Sequence, residues 1–209
     1  MPNWNLALID VATAWVVVAL PRYAQARLLV RSGCYSAEAI YALGIEERAT
    51  IDPVKHTSIL GTLLAPVLTS VASMPVLAWG KPIESGNPGR RQPKLAACIW
   101  MAPTAVYALQ AFLLAALMAA LAHIYLPGAP VAARAGQLCL RLALLNLVPL
   151  PVLDSGLSVS VFRGQSDSGH WLPATLSVTV LAALAATGIL RAMDNLALYA
   201  FFIVSRLFV

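Results

Sequence analysis

The residues able to do chemistry in this chain are few, and most stand in apolar company. Asp154 falls in the run Asn146-Leu147-Val148-Pro149-Leu150-Pro151-Val152-Leu153-Asp154-Ser155-Gly156, and Arg22 and Gln25 lie in Leu20-Pro21-Arg22-Tyr23-Ala24-Gln25-Ala26. A charged side chain at membrane depth is costly, so each such group is a candidate for function. A carboxylate placed there takes up a proton or acquires a partner. Arg22 stays protonated, which suits it to pairing and disqualifies it as a general base. Ser155 has no His or Lys base in view, so helix capping by Asp154 or Ser155 is expected in place of nucleophilic chemistry. His56, His123 and His170 are too far apart in sequence to suggest a metal set. Cys34, Cys98 and Cys139 are scattered and odd in number, which fits neither a disulfide framework nor a zinc knuckle. They are expected to be small buried residues.

The elements that must position these groups are written in the hydropathy. Of 209 residues, 60% are apolar and 11% are charged, whereas a soluble domain carries about a quarter charged residues. That balance predicts a multi-pass integral membrane protein, with the lipid bilayer as its first partner. The net charge of +5 is assigned to cytoplasmic loops and not to nucleic acid, because basic and aromatic residues do not interleave. Residues 5–30 form the first apolar stretch, interrupted by Pro21. With no Lys or Arg before Arg22, it reads as a retained helix and not a secretory signal. Residues 32–56 are polar. Residues 57–79 are apolar but hold Gly61, Pro66 and Pro75, and 80–94 form a basic Gly- and Pro-rich loop. Further apolar runs cover 95–126, 131–150, 171–190 and 196–209, the last two punctuated by Asp194-Asn195. The expected fold is an all-α polytopic bundle of five to six hydrophobic segments in a single domain, 1–209. Trp15, Trp79, Trp100 and Trp171 read as interfacial or core aromatics.

Charge sets the orientation. Arg27, Arg31, Arg48 and Lys55 flank or occupy the first loop, and Lys81, Arg90, Arg91 and Lys94 the second. If residues 57–79 crossed the membrane, two basic loops would face opposite sides, against the positive-inside rule. A re-entrant segment keeps both on the cytoplasmic side, and is the expected arrangement.

Four blocks, in order, resemble the site-2 protease family of intramembrane zinc metallopeptidases. The run ending Asp154-Ser155-Gly156 is similar to the family's N-L-x-P-x-P-x-L-D-G-G signature. Asp52-Pro53-Val54-Lys55-His56 with Gly61-Thr62-Leu63-Leu64-Ala65-Pro66 resembles its N-P-x-x-H-I-D-P-x-G-T-L-x-x-P block. Ala78-Trp79-Gly80-Lys81-Pro82-Ile83 resembles its G-W-A-K-P-V strand, and Ala102-Pro103 stands where G-P-x-x-N begins. The resemblance implies a helical membrane fold with short β-strands near 78–84, where Trp79, Lys81 and Pro82 would offer an edge for strand addition.

The family's H-E-x-x-H motif is absent. Aligned on Tyr23-Ala24 and Ala26, Pro21 and Gln25 stand at the two His positions and Arg22 at the Glu; Val106 replaces the Asn of G-P-x-x-N, and Ser155 a Gly. Only Asp154 survives of the metal and base residues. A catalytic zinc needs three protein ligands and an open position, so the zinc of active family members is expected to be absent. Arg22 and Asp154 are predicted to pair, with Gln25 beside them. The alternative is that Arg22 snorkels to the interface and Asp154 faces water. The expected function is that of a non-catalytic pseudoprotease of the bacterial cytoplasmic membrane. It would be a binding, regulatory or structural subunit whose partner supplies a transmembrane helix. Two other readings stay open: an active peptidase with rearranged ligands, and a small transporter component using Arg22 and Asp154 as a charge relay.

Overall fold

A computed structural model describes residues 4–81, 83, 93–124, 128–148, 158, 162, 179–180, 183–184 and 187–208. The first helix, α1 (Trp4–Arg31), runs unbroken through Pro21. At 1.5 Å per residue its 28 residues reach about 42 Å. The proline does not interrupt it because its turn lies inside the protein: Val17, Val18, Pro21, Arg22, Gln25 and Ala26 are all buried. A proline in a membrane helix is tolerated where neighbouring segments satisfy the freed backbone. The polar stretch that follows folds into three short helices, α2 (Ala37–Ala42), α3 (Ile45–Arg48) and α4 (Pro53–His56). Asp52 caps α4, its Oδ1 accepting from the Val54 amide at 3.0 Å, with Pro53 at the first turn.

Residues 57–81 form a hairpin. A π-helical turn, Ile59–Leu64, leads into α5 (Ala65–Val71). The chain reverses at Ser73, whose φ of 54° is left-handed, and returns extended to Lys81. The arms are stitched together along their length. The Leu77 amide donates to Thr69 Oγ1 at 3.3 Å, and Thr62 Oγ1 donates to the Trp79 carbonyl at 3.0 Å. The amides of Trp79 and Lys81 reach the carbonyls of Gly61 and His56 at 3.1 and 2.9 Å. The segment therefore ends where it began. Its base lies beside Arg22 and its tip beside Asp10, twelve residues or about 18 Å apart along α1.

The return arm corrects the expectation of short strands near 78–84. Residues 78–81 and 83 are extended, but no strand forms among the described residues, because their hydrogen-bond partners lie on a π turn and a helix end instead of a second strand. Pro82 lies outside the described residues.

The long helices α6 (Pro93–His123), α7 (Ala129–Leu145) and α8 (Ile189–Ser205) complete the bundle. The α6 helix packs on α7 and α1, and α8 on α6 and α7. Small residues line these seams: Ala14, Ala111, Ala135, Cys139 and Ala143 belong to one core cluster, and Gly136 lies directly under the Phe201 ring. Close backbone approach of this kind is typical of helix pairs in membranes. Large apolar side chains instead point outward, among them Leu8 and Val16 on α1, Leu109, Leu113 and Leu117 on α6, and Tyr199 and Phe202 on α8.

Two of the described helices, α1 and α6, are long and apolar enough to cross a membrane. The α7 and α8 helices have 17 residues each, about 26 Å and short of the roughly 20 residues of a full span. The apolar run at 171–190 falls mostly outside the described residues. Asp194-Asn195 does not punctuate two segments. Both lie inside α8, and Asp194 is held there by an arginine of α7.

Candidate functional site

The Arg22 site is built by three elements. One helical turn separates Arg22 from Gln25, which puts both on the inner face of α1. The two are 2% and 0% exposed. Arg22 Nη1 donates to Gln25 Oε1 at 3.1 Å, and Nη2 to the Gly80 carbonyl at 3.4 Å. Gln25 Nε2 donates to the Ile99 carbonyl of α6 at 2.8 Å. The hairpin can bring its backbone this close because residue 80 is glycine. A Cβ there would lie 2.6 Å from Val18 Cγ1 and 2.8 Å from Arg22 Nε, tighter than side chains tolerate.

His56 is buried. Its Nε2–H donates to the Thr50 carbonyl at 2.9 Å. Burial is the main cause that pushes its pKa below the usual 6.5, and the charge of Arg22 adds to it. The site thus combines a guanidinium, an amide and a neutral imidazole whose Nε2–H already has a partner. No group of three His, Cys, Asp or Glu able to hold a metal occurs among the described residues. Pro21, Arg22 and Gln25 supply neither a ligand set nor a base.

Asp154 and Ser155 lie outside the described residues. The flanks of their motif do not. Trp100 Nε1 donates to the Asn146 carbonyl at 2.8 Å, and Ser158 Oγ to the Ala96 carbonyl at 2.7 Å. Both anchors sit on the α6 turn whose Ile99 carbonyl holds Gln25. Trp79 packs against the core and Lys81 is exposed. The N–H and C=O of Trp79, the C=O of Gly80 and the N–H of Lys81 are all hydrogen-bonded internally. A strand added through those groups would have to displace these bonds.

A second polar centre, which the motifs do not mark, lies at the other end of the hairpin. Asp10, 2% exposed, forms a two-point ion pair with Arg134 of α7, with Nη2 to Oδ2 at 2.9 Å and a second bond from Nε to Oδ1. Arg141, 7% exposed, pairs with Asp194 of α8 and donates to the Val76 carbonyl at 2.7 Å. The signal was present in the sequence. Asp10, Arg134 and Arg141 are ionisable residues inside apolar runs, the same criterion that singled out Arg22.

The remaining expectations divide by environment. Cys139 is buried and Cys34 half-buried, both as free thiols. Trp15 Nε1 donates to Thr57 Oγ1 at 2.7 Å, fastening the hairpin to α1. His123 closes the last turn of α6, while His170 and Trp171 lie outside the described residues. No family model, curated protein or solved structure matches this chain.

Proposed function

We propose that this chain is a multi-pass protein of the bacterial cytoplasmic membrane with a site-2-protease-like fold. Its catalytic centre is replaced by a charge-paired one, and it acts as a non-catalytic binding, regulatory or structural subunit. The observation that carries this reading is the burial of Arg22 at the position of the family's catalytic Glu, held by Gln25, Gly80 and α6. A fixed cation there repels a divalent metal and cannot accept a proton from water.

Three further features support it. The outward display of large apolar side chains, with Asp10 and Arg141 buried and each paired to an opposite charge, suits lipid surroundings. The hairpin returns to its starting level after about 18 Å, a little over half of a hydrocarbon core roughly 30 Å thick, which suits the re-entrant arrangement. The flanks of the Asp154 motif are tied to the α6 turn that holds Gln25, which favours a pair between Arg22 and Asp154. The partner is a transmembrane helix docking on the apolar outer faces, since the return arm has its backbone groups already engaged.

The test is a mild-detergent purification with metal analysis and a peptidase assay on transmembrane peptides. Zinc far below one per chain and no cleavage are expected. Stoichiometric zinc, or cleavage lost in Asp154→Asn, would overturn the proposal and favour an active peptidase.

A further inference from the structure

His56 holds the base of the hairpin through both its ring and its backbone. Its carbonyl accepts from the Lys81 amide at 2.9 Å, the bond that closes the return arm onto α4. Its ring is 2% exposed and donates from Nε2 to the Thr50 carbonyl at 2.9 Å. His56 is the last residue of α4, a single turn of four residues, and the one residue of that turn that is buried. A turn this short has no stability of its own. Asp52 caps its start, and Thr57 Oγ1 donates to the Pro53 carbonyl at 2.9 Å. The buried ring is therefore what seats α4 in the protein.

The charges around that ring oppose a proton. Arg22 reaches it from α1 and Arg48 from α3, and both act on it as cations. Asp52 is the one carboxylate acting on it among the described residues, and it is exposed and already accepts from the Val54 amide. Lys55 on α4 and Lys81 on the return arm are exposed and add positive charge. Burial is the largest cause that lowers the ring's pKa from 6.5; the Thr50 carbonyl opposes it, and the two arginines add to it. A buried cation without a matching anion is relieved by moving to water. Because ring and carbonyl belong to one residue at the end of a marginal turn, the ring cannot leave without disturbing the bond to Lys81.

We propose that His56 is an acid-operated latch, whose protonation releases α4 from the return arm and opens the hairpin base over Arg22. Gly80, whose carbonyl accepts from Arg22 Nη2, is the residue next to Lys81, so loss of the latch uncovers that guanidinium. Trp15 keeps Thr57 fastened to α1, which confines the motion to α4 and the end of the return arm. The tip stays closed. There Arg141 donates to the Val76 carbonyl at 2.7 Å and the Met74 amide to the Thr69 carbonyl at 2.8 Å, and neither bond contains a group that titrates between about pH 5 and 8. The latch operates whether or not the chain cleaves peptides, so it stands independently of the pseudoprotease reading.

Hydrogen exchange of the full chain in detergent, followed from about pH 7.5 to 5 and corrected for intrinsic rates, tests the latch. Protection of the Lys81 and Thr57 amides should fall below pH 6.5 by up to about tenfold per pH unit, the limit for one linked proton. Protection of the Met74 and Leu77 amides at the tip should hold. His56→Gln keeps an N–H for Thr50 but takes up no proton, so its base protection should not depend on pH. Tip protection at pH 7.5 shows whether that variant is folded. If it is not, Arg48→Gln replaces it, and should lessen the loss at the base because one of the opposing cations is gone. Flat protection at the wild-type base overturns the proposal, as does an equal loss at base and tip, which would mark global unfolding. So does an unaltered pH dependence in folded His56→Gln or in Arg48→Gln.

Discussion

Arg22 is the most informative single residue, because its charge is permanent and its surroundings are dry. A buried guanidinium costs several kcal/mol unless a counter-charge and hydrogen bonds offset it. Gln25 and Gly80 supply hydrogen bonds, and Asp154 is the proposed counter-charge. Removing one partner of such a pair costs about 3–5 kcal/mol, whereas replacing both by apolar residues is near neutral. Arg22→Met and Asp154→Leu should therefore each lower the melting temperature in detergent markedly, and the double variant should recover most of the loss. Additive losses would show that the two do not interact.

His56 gives a pH prediction at the same scale. Its folded pKa is below the ordinary 6.5, so below that value the unfolded chain binds the proton more readily. Its contribution to stability is complete above about pH 6.5 and is lost as pH falls through the folded pKa. Thermal unfolding between about pH 8 and pH 5 should show a decline on acidification that is shallower in His56→Gln. An unchanged profile in that variant would place the effect elsewhere.

At the scale of elements, the hairpin is the device that links the two polar centres. Its arms approach so closely at Gly61 that a Cβ would overlap the Trp79 carbonyl oxygen and lie 2.5 Å from the indole Nε1. Neither backbone nor a packed indole can yield cheaply, so Gly61→Ala should destabilise by roughly 1–3 kcal/mol, the usual range for overpacking. Protease sensitivity near residues 57–81 and a lower melting temperature are the measurements. A neutral result would mean that the arms separate freely. The tip is held differently, by Arg141 donating to the Val76 carbonyl. The same arginine engages Asp194, so α7 couples the hairpin tip to α8.

For the whole molecule, the proposed topology places the hairpin base with the basic loops. Single cysteines at Ser36 and Lys81, introduced into a cysteine-free background, should then label from one side of the membrane. A cysteine at His123 should label from the other. Labelling of Ser36 and Lys81 from opposite sides would mean that residues 57–79 cross the membrane, and the re-entrant arrangement would fall.

The sequence alone determined the long apolar elements. A shortage of charge across long apolar runs leaves little but helices, and α1 and α6 lie within a few residues of where hydropathy put them. It also showed that Pro21, Arg22 and Gln25 cannot make up an H-E-x-x-H set of two imidazoles and a carboxylate, whatever their placement. The second polar centre was open to the same reading, because Asp10 and Arg134 are charges in apolar runs. What sequence could not supply was their pairing, which joins positions 124 residues apart. Only tertiary packing decided that pairing. It also decided that the 78–81 segment docks on a π turn instead of a strand, and that Asp194 continues a helix instead of ending one. Each of these outcomes depends on which distant hydrogen-bond or charge partner reaches a segment, and local propensity carries no information about that.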